Sequence, residues 1–156
     1  MAITDVGKVR KINEDAVLDR PADGMWVVAD GMGGHEAGDF ASQLIIERLS
    51  EVQSSPDLNR YVEDVQDELW EINQLLQKEA DVRGKGAIGS TVVVLLAVGN
   101  QYACLWAGDS RAYLLTNDMF QAVSRDHSQV EEFVQQGLLT RDAVSYTHLT
   151  LPTSPK

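Results

Sequence analysis

The residues best placed to do chemistry in this 156-residue chain lie in the stretch Val27-Val28-Ala29-Asp30-Gly31-Met32-Gly33-Gly34-His35. There an apolar, partly β-branched run from Trp26 to Ala29 meets one carboxylate and then a glycine-rich segment. The run reads as the end of a strand packed on a core, with Asp30 at its mouth. Glycines at 31, 33 and 34 let a backbone bend sharply and approach a ligand with no Cβ in the way. Such a loop exposes amides and carbonyls, and strand-to-helix loops of this kind serve several ligand classes. An Asp-Gly step after a strand is also a common hairpin turn. Here, however, Glu36 to Leu49 carries Ala37, Phe40, Ala41, Leu44, Ile45 and Leu49 at helical spacing, so the segment leads into an amphipathic helix.

A second cluster, Arg10-Lys11-Ile12-Asn13-Glu14-Asp15, sets a guanidinium and two adjacent carboxylates before apolar Ala16, Val17 and Leu18. On a strand, Glu14 and Asp15 point to opposite faces, so only one aims directly at a given ligand unless the backbone bulges. A solvated charge cluster at a strand edge is the plain alternative. Further along, Gly108-Asp109-Ser110 interrupts an apolar pattern, and Ser124-Arg125-Asp126-His127-Ser128 leads into a helix. Ser128 and Glu131 have the spacing of a capping box, and Gly137 supplies a stop, so Ser128 reads as a cap rather than a nucleophile. No serine has the Gly-x-Ser-x-Gly setting of a nucleophile elbow, and covalent catalysis is unsupported.

The elements that must position these residues follow from periodicity. Ala2 to Val6 reads as a short strand closed by Gly7. Pro21 and Gly24 mark a turn from the Ala16–Leu18 strand into the Met25–Ala29 strand, which brings Asp15 and Asp30 toward one sheet edge. After a break at Ser54-Ser55-Pro56, a helix runs to about Lys78 on the stripe Leu58, Tyr61, Val65, Leu69, Ile72 and Leu76. Gly84-Lys85-Gly86 breaks the chain again. Ser90 to Val98 is a strand too continuously apolar to have a wet face, and Gly99-Asn100 turns it back through Gln101 to Ala107. Arg111–Leu115 and Met119–Val123 complete a meander around Thr116-Asn117-Asp118. The fold is mixed, with mostly antiparallel strands and two helices inserted between the early and late ones.

Length suits one domain. With 24 Asp and Glu against 13 Lys and Arg, the acidic balance argues against nucleic acid or an anionic membrane as partner. The single cysteine, Cys104, lies in an apolar run, which excludes a disulfide framework and a thiolate metal site and fits a small buried residue. No leader pattern opens the chain and no apolar run reaches the roughly 20 residues of a membrane helix, so a cytoplasmic protein is expected. Val144 to Lys156 has no acidic residue and is rich in Thr, Ser and Pro. That composition separates a domain over 1–143 from a non-native or disordered tail over 144–156.

Taken together, Gly7-Lys8-Val9-Arg10 with Asn13-Glu14-Asp15, Val28 through His35, Gly89-Ser90-Thr91, Ala107 through Arg111 and Ser124 through Ser128 resemble the metal-dependent protein phosphatases of the PPM (type 2C) family, in bacterial form. The resemblance covers roughly residues 2 to 143. It implies an α+β fold, a sandwich of two mainly antiparallel β-sheets flanked by α-helices, incomplete at the C-terminal side. It also implies two divalent cations, Mn²⁺ or Mg²⁺, with a third weaker site, and hydrolysis of phosphoserine and phosphothreonine by metal-activated water. By the same resemblance Asp30 bridges the metals, the Gly31 carbonyl binds one of them, and Asp15 and Glu14 support the centre directly or through water. Arg10 would grip the substrate phosphate and Asp109 would serve the third metal. Animal members carry a histidine directly after the Asp-Gly, where Met32 stands here, which leaves His35 as the candidate acid. Phosphorylated protein substrates, a cognate Ser/Thr kinase and a monomeric state are expected as well, and relatives of this kind include regulators of type VI secretion.

The chemistry agrees with these assignments, because hard cations prefer oxygen donors and the chain offers carboxylates and a carbonyl. Bound metals reverse the local sign of an acidic protein, and the forked donors of Arg10 can hold two phosphate oxygens. The family's later Asp-Gly and Asp-Asn motifs do not follow Asp109, so weak metal binding and slow or no turnover are expected of this length of chain. The alternative function is a non-catalytic module in which the Gly31 to Gly34 loop and the following helix hold a phosphorylated partner or a nucleotide.

Overall fold

The computed structural model describes residues 3, 5, 13–84, 86–108, 112–115, 119–122 and 145–150. Strand β1 (Asp15–Arg20) runs through a 3₁₀ turn at Pro21–Asp23 into β2 (Met25–Met32). Helices α1 (His35–Ser50) and α2 (Leu58–Arg83) follow. Next come β3 (Gly89–Val98), β4 (Gln101–Ala107), β5 (Tyr113–Leu115), β6 (Phe120–Ala122) and β7 (Ser145–Thr150). Among the described residues five strands form one antiparallel sheet in the order β1-β2-β3-β4-β7, and β5 pairs with β6 in a separate two-stranded sheet. The expected α+β fold of antiparallel sheets with helices is what the chain adopts.

One face of the large sheet carries the core. Alternate residues of β2, Met25, Val27 and Ala29, are buried there with Val92, Val94 and Leu96 of β3. Helix α2 lays its stripe on this layer, with Leu58, Tyr61, Val65, Leu69, Ile72 and Leu76 all buried. Each such side chain removed from water contributes about 2 kcal/mol, so the stripe rather than helix propensity holds the helix in place. The opposite face of β2 bears Trp26, Val28 and Asp30, and Val28 is 48% exposed.

Several bounds differ from the sequence expectation. Strand β2 continues through Asp30 and Gly31 to Met32, because β3 pairs with those positions at Thr91, Ser90 and Gly89. Helix α2 runs past Lys78 to Arg83: Ala80 extends the buried stripe and Gly84, at φ 64°, closes the helix in the left-handed conformation. Residues 145–150, placed in a tail by composition, form β7 on the edge of β4, from Gln101↔Thr150 to Trp106↔Ser145. A segment rich in threonine suits extended backbone, and composition alone misses that. Of the expected strand at Ala2–Val6 only Ile3 and Asp5 are described, and neither is in a strand; the helix after Ser128 lies outside the described residues.

Two polar ties fix the helices to the far end of the sheet. Arg20 Nη1 donates to the carbonyls of Leu49 (3.1 Å) and Val52 (3.0 Å), while its Nη2 donates to Asp23 Oδ2 at 2.9 Å. The Tyr61 hydroxyl donates to the Asp23 carbonyl at 2.8 Å. Between the helices, Arg48 pairs with Glu68 and, at 2.8 Å, with Glu71. Among the described residues no helix is long and apolar enough to cross a membrane.

Candidate metal centre

The near end of the sheet brings three of the sequence-predicted carboxylates to one corner. Asp15 and Asp30 are direct partners in the β1–β2 register. Partners across an antiparallel pair share a face, so both side chains project from the face turned away from the helices. The next rung is fixed by the Gly31 N–H, which donates to the Glu14 carbonyl at 2.9 Å. Because hydrogen-bonded and open pairs alternate along the ladder, Asp15 and Asp30 occupy an open pair, where side chains approach most closely. The Asp15 N–H donates to Asn13 Oδ1 at 3.0 Å, an Asx-type turn that sets the entry of the chain into β1.

Glu14 takes the other side of the backbone. A Cβ built on Gly38 of α1 would stand 2.5 Å from Glu14 Oε1 and 3.0 Å from its carboxyl carbon. Its carboxylate therefore lies against the first turns of α1, as strand alternation predicts. The row through Asp30 continues onto β3 at Thr91, which is buried, and Gly108 abuts Thr91 just past the end of β4. Gly108 has φ 97°, a turn open to glycine at little cost.

The glycine-rich stretch is less open than its sequence suggests. Gly31 is a buried strand residue, and a Cβ there would land on the Gly38 carbonyl and within 2.9 Å of Gly38 Cα. Its glycine serves close packing of β2 on α1 rather than a bend. Gly33 (φ 125°) and Gly34 (φ 86°) make the bend, and Gly33 packs on Ala87 and Ile88. Only Gly34 is exposed, which removes most of the open loop that a nucleotide-holding module would need. His35 is the first residue of α1. Arg10 and Asp109 lie outside the described residues.

The donor set suits a hard divalent cation. Two opposed carboxylates and a backbone rung at Gly31 offer oxygen and neither sulfur nor paired imidazole. Among the described residues, however, no group of three or more His, Cys, Asp and Glu side chains stands close enough together to hold a metal ion. Asp15 and Asp30 can supply two ligands, and an octahedral shell needs further oxygens from water, carbonyls or other residues. Sequence reasoning missed Gly38. A glycine four residues into an amphipathic helix is its signal, since helices disfavour glycine without a packing reason.

Comparison with known proteins accords with this geometry. The chain is 32% identical over 150 residues to the serine/threonine phosphatase stp of Listeria innocua, covering 89% of this chain and 58% of that protein. It thus spans little more than half the length of that curated relative. Among solved structures, one described as "PppA, a key regulatory component of T6SS in Pseudomonas aeruginosa" matches with TM-score 0.85 and 44% identity, over 95% of this chain and 70% of that one. The catalytic domain of the serine/threonine protein phosphatase PstP, solved in complex with 2 manganese ions, matches with TM-score 0.71 and 28% identity, over 95% of this chain and 70% of that one. The family described as Protein phosphatase 2C matches residues 5–132, and the chain belongs to that family.

Proposed function

We propose that this chain forms the greater part of the metal-binding half of a protein-serine/threonine phosphatase that hydrolyses phosphoserine and phosphothreonine. The observation that carries the reading is the direct opposition of Asp15 and Asp30 beside Gly31, at the end of the sheet, in a member of this family. When bound, two Mn²⁺ or Mg²⁺ ions supply Lewis acidity, which acidifies water and balances charge on the attacking and leaving oxygens. Asp30 is assigned as the shared carboxylate, with the Gly31 carbonyl and Asp15 beside it and Glu14 holding the shell from the helix side. Arg10 is assigned to the substrate phosphate through its forked donors. His35 is assigned as the acid for the leaving oxygen on its position at the start of α1, and Asp109 as ligand of a third, weaker cation.

The setting proposed for this protein is the removal of phosphate placed by a Ser/Thr kinase, by a cytoplasmic monomer; similarity to PppA, described as a key regulatory component of T6SS, supports a place in the regulation of type VI secretion. The resemblance assigns two further aspartates to sequence past Asp109, so turnover by this length of chain is proposed to be slow and to rise when the sequence is extended through them. The test is phosphate release from a phosphothreonine peptide with Mn²⁺ titrated from zero, beside calorimetric Mn²⁺ uptake, in the parent and in Asp30→Ala. Mn²⁺-dependent release and uptake, both abolished in Asp30→Ala, are expected. Turnover that survives Asp30→Ala would overturn the metal reading.

A further inference from the structure

Helix α1 carries a glycine where a better helix former would be expected, and the space left by its missing side chain is filled by a carboxylate. Gly38 is buried, and its N–H donates to the Gly34 carbonyl at 3.0 Å as an ordinary helical bond. Its φ lies outside the left-handed region, so no backbone conformation demands glycine there. What demands it is the neighbourhood. An added Cβ would meet Glu14 Oε1 at 2.5 Å, the Glu14 carboxyl carbon at 3.0 Å and the Gly31 carbonyl carbon at 3.1 Å. We propose that Gly38 is a positioning residue: its bare Cα is the seat that sets the Glu14 carboxylate, and through it the oxygen donors around Gly31 and Asp30.

The distances divide the consequences. The closest atom is the far end of a flexible side chain, which can turn aside, whereas the backbone of Gly31 need give by only a few tenths of an ångström. Alanine at 38 therefore leaves the fold in place and moves the carboxylate. A merely structural glycine would do the reverse. The inference rests on the metal reading given above, since it assigns Glu14 to the support of the same cations.

Calorimetric Mn²⁺ titration and metal-free thermal unfolding of the parent, Gly38→Ala, Glu14→Ala and the double variant test it. Gly38→Ala should fold and bind Mn²⁺ about tenfold more weakly, the lower end of the loss seen when the groups that hold metal ligands are disturbed. In the Glu14→Ala background the same change should leave Mn²⁺ affinity untouched and lower the unfolding midpoint less than it does in the parent, because only the Gly31 backbone, at 3.1 Å, remains to give way. Parent-like affinity in Gly38→Ala, an equal loss with and without Glu14, or a Gly38→Ala protein that does not fold would each overturn the positioning role. No Mn²⁺ uptake by the parent would instead overturn the metal reading itself, and this role with it.

Discussion

Asp15 and Asp30 stand directly opposite one another on the β1–β2 ladder, two like charges on one face at an open pair of an antiparallel sheet. Like charges so placed oppose pairing, and the strands continue from there into the apolar register Ala16↔Ala29 through Leu18↔Val27. A divalent cation between them would turn that repulsion into attraction.

Replacing one carboxylate should therefore move stability and metal affinity in opposite directions. Without metal, Asp15→Asn is expected to stabilise the protein by about 0.5 kcal/mol, a rise of about 2 °C in unfolding midpoint. With Mn²⁺ added, the parent should gain more than the variant, because ligands stabilise only the state that binds them. Thermal scans with and without Mn²⁺ check both signs.

Gly31→Ala should be far more damaging than its small volume implies. The new methyl lands on the carbonyl of Gly38, and neither β2 nor α1 has a side chain there that could move aside. Overpacking of backbone on backbone is expected to cost about 3 kcal/mol, read as a lower urea midpoint or loss of soluble protein.

Arg20 binds three oxygens on two segments with one guanidinium whose side chain is only 19% exposed. Arg20→Met leaves the Leu49 and Val52 carbonyls at the end of α1 without that donor, at an expected cost of about 2 kcal/mol. Arg20→Lys keeps the charge without the fork and should fall between the two. Urea unfolding of the three proteins orders them.

Cys104 gives the protein an alkaline weakness. Burial pushes its thiol from 9.0 up to about 11. Between those values the unfolded chain has released the proton and the folded chain keeps it, so this contribution is whole below pH 9 and is lost as pH rises toward 11. The interval corresponds to about 2.7 kcal/mol at most. Tyr61 and Tyr102, both raised by burial, act in the same direction at higher pH. Urea midpoints across this range should fall for the parent and fall less steeply for Cys104→Ala.

The sequence made the helices and the carboxylates legible because both are written locally. The stripe from Leu58 to Leu76 names its own buried face, and a carboxylate before glycines after an apolar run marks a strand end near a ligand. What escaped is decided between elements. Gly31 looked like part of a loop because glycine usually breaks strands, yet pairing with Ser90 on one side and Glu14 on the other keeps it in the ladder. Gly38 looked like nothing at all, since its importance lies in what sits against it, 24 positions earlier in the chain. The strand at Ser145–Thr150 depends on an open edge of β4, which no local pattern announces.

Helix α1 is held at both ends by different means. Near the centre its backbone at Gly38 rests on Gly31, and 11 residues further on, about 16 Å along the axis, the Arg20 guanidinium clasps the Leu49 carbonyl. A rod gripped at two points can neither slide nor roll without losing one grip. The placement of the Glu14 carboxylate is thus a property of the whole rod, and a lesion at the remote clasp should be audible at the metal end.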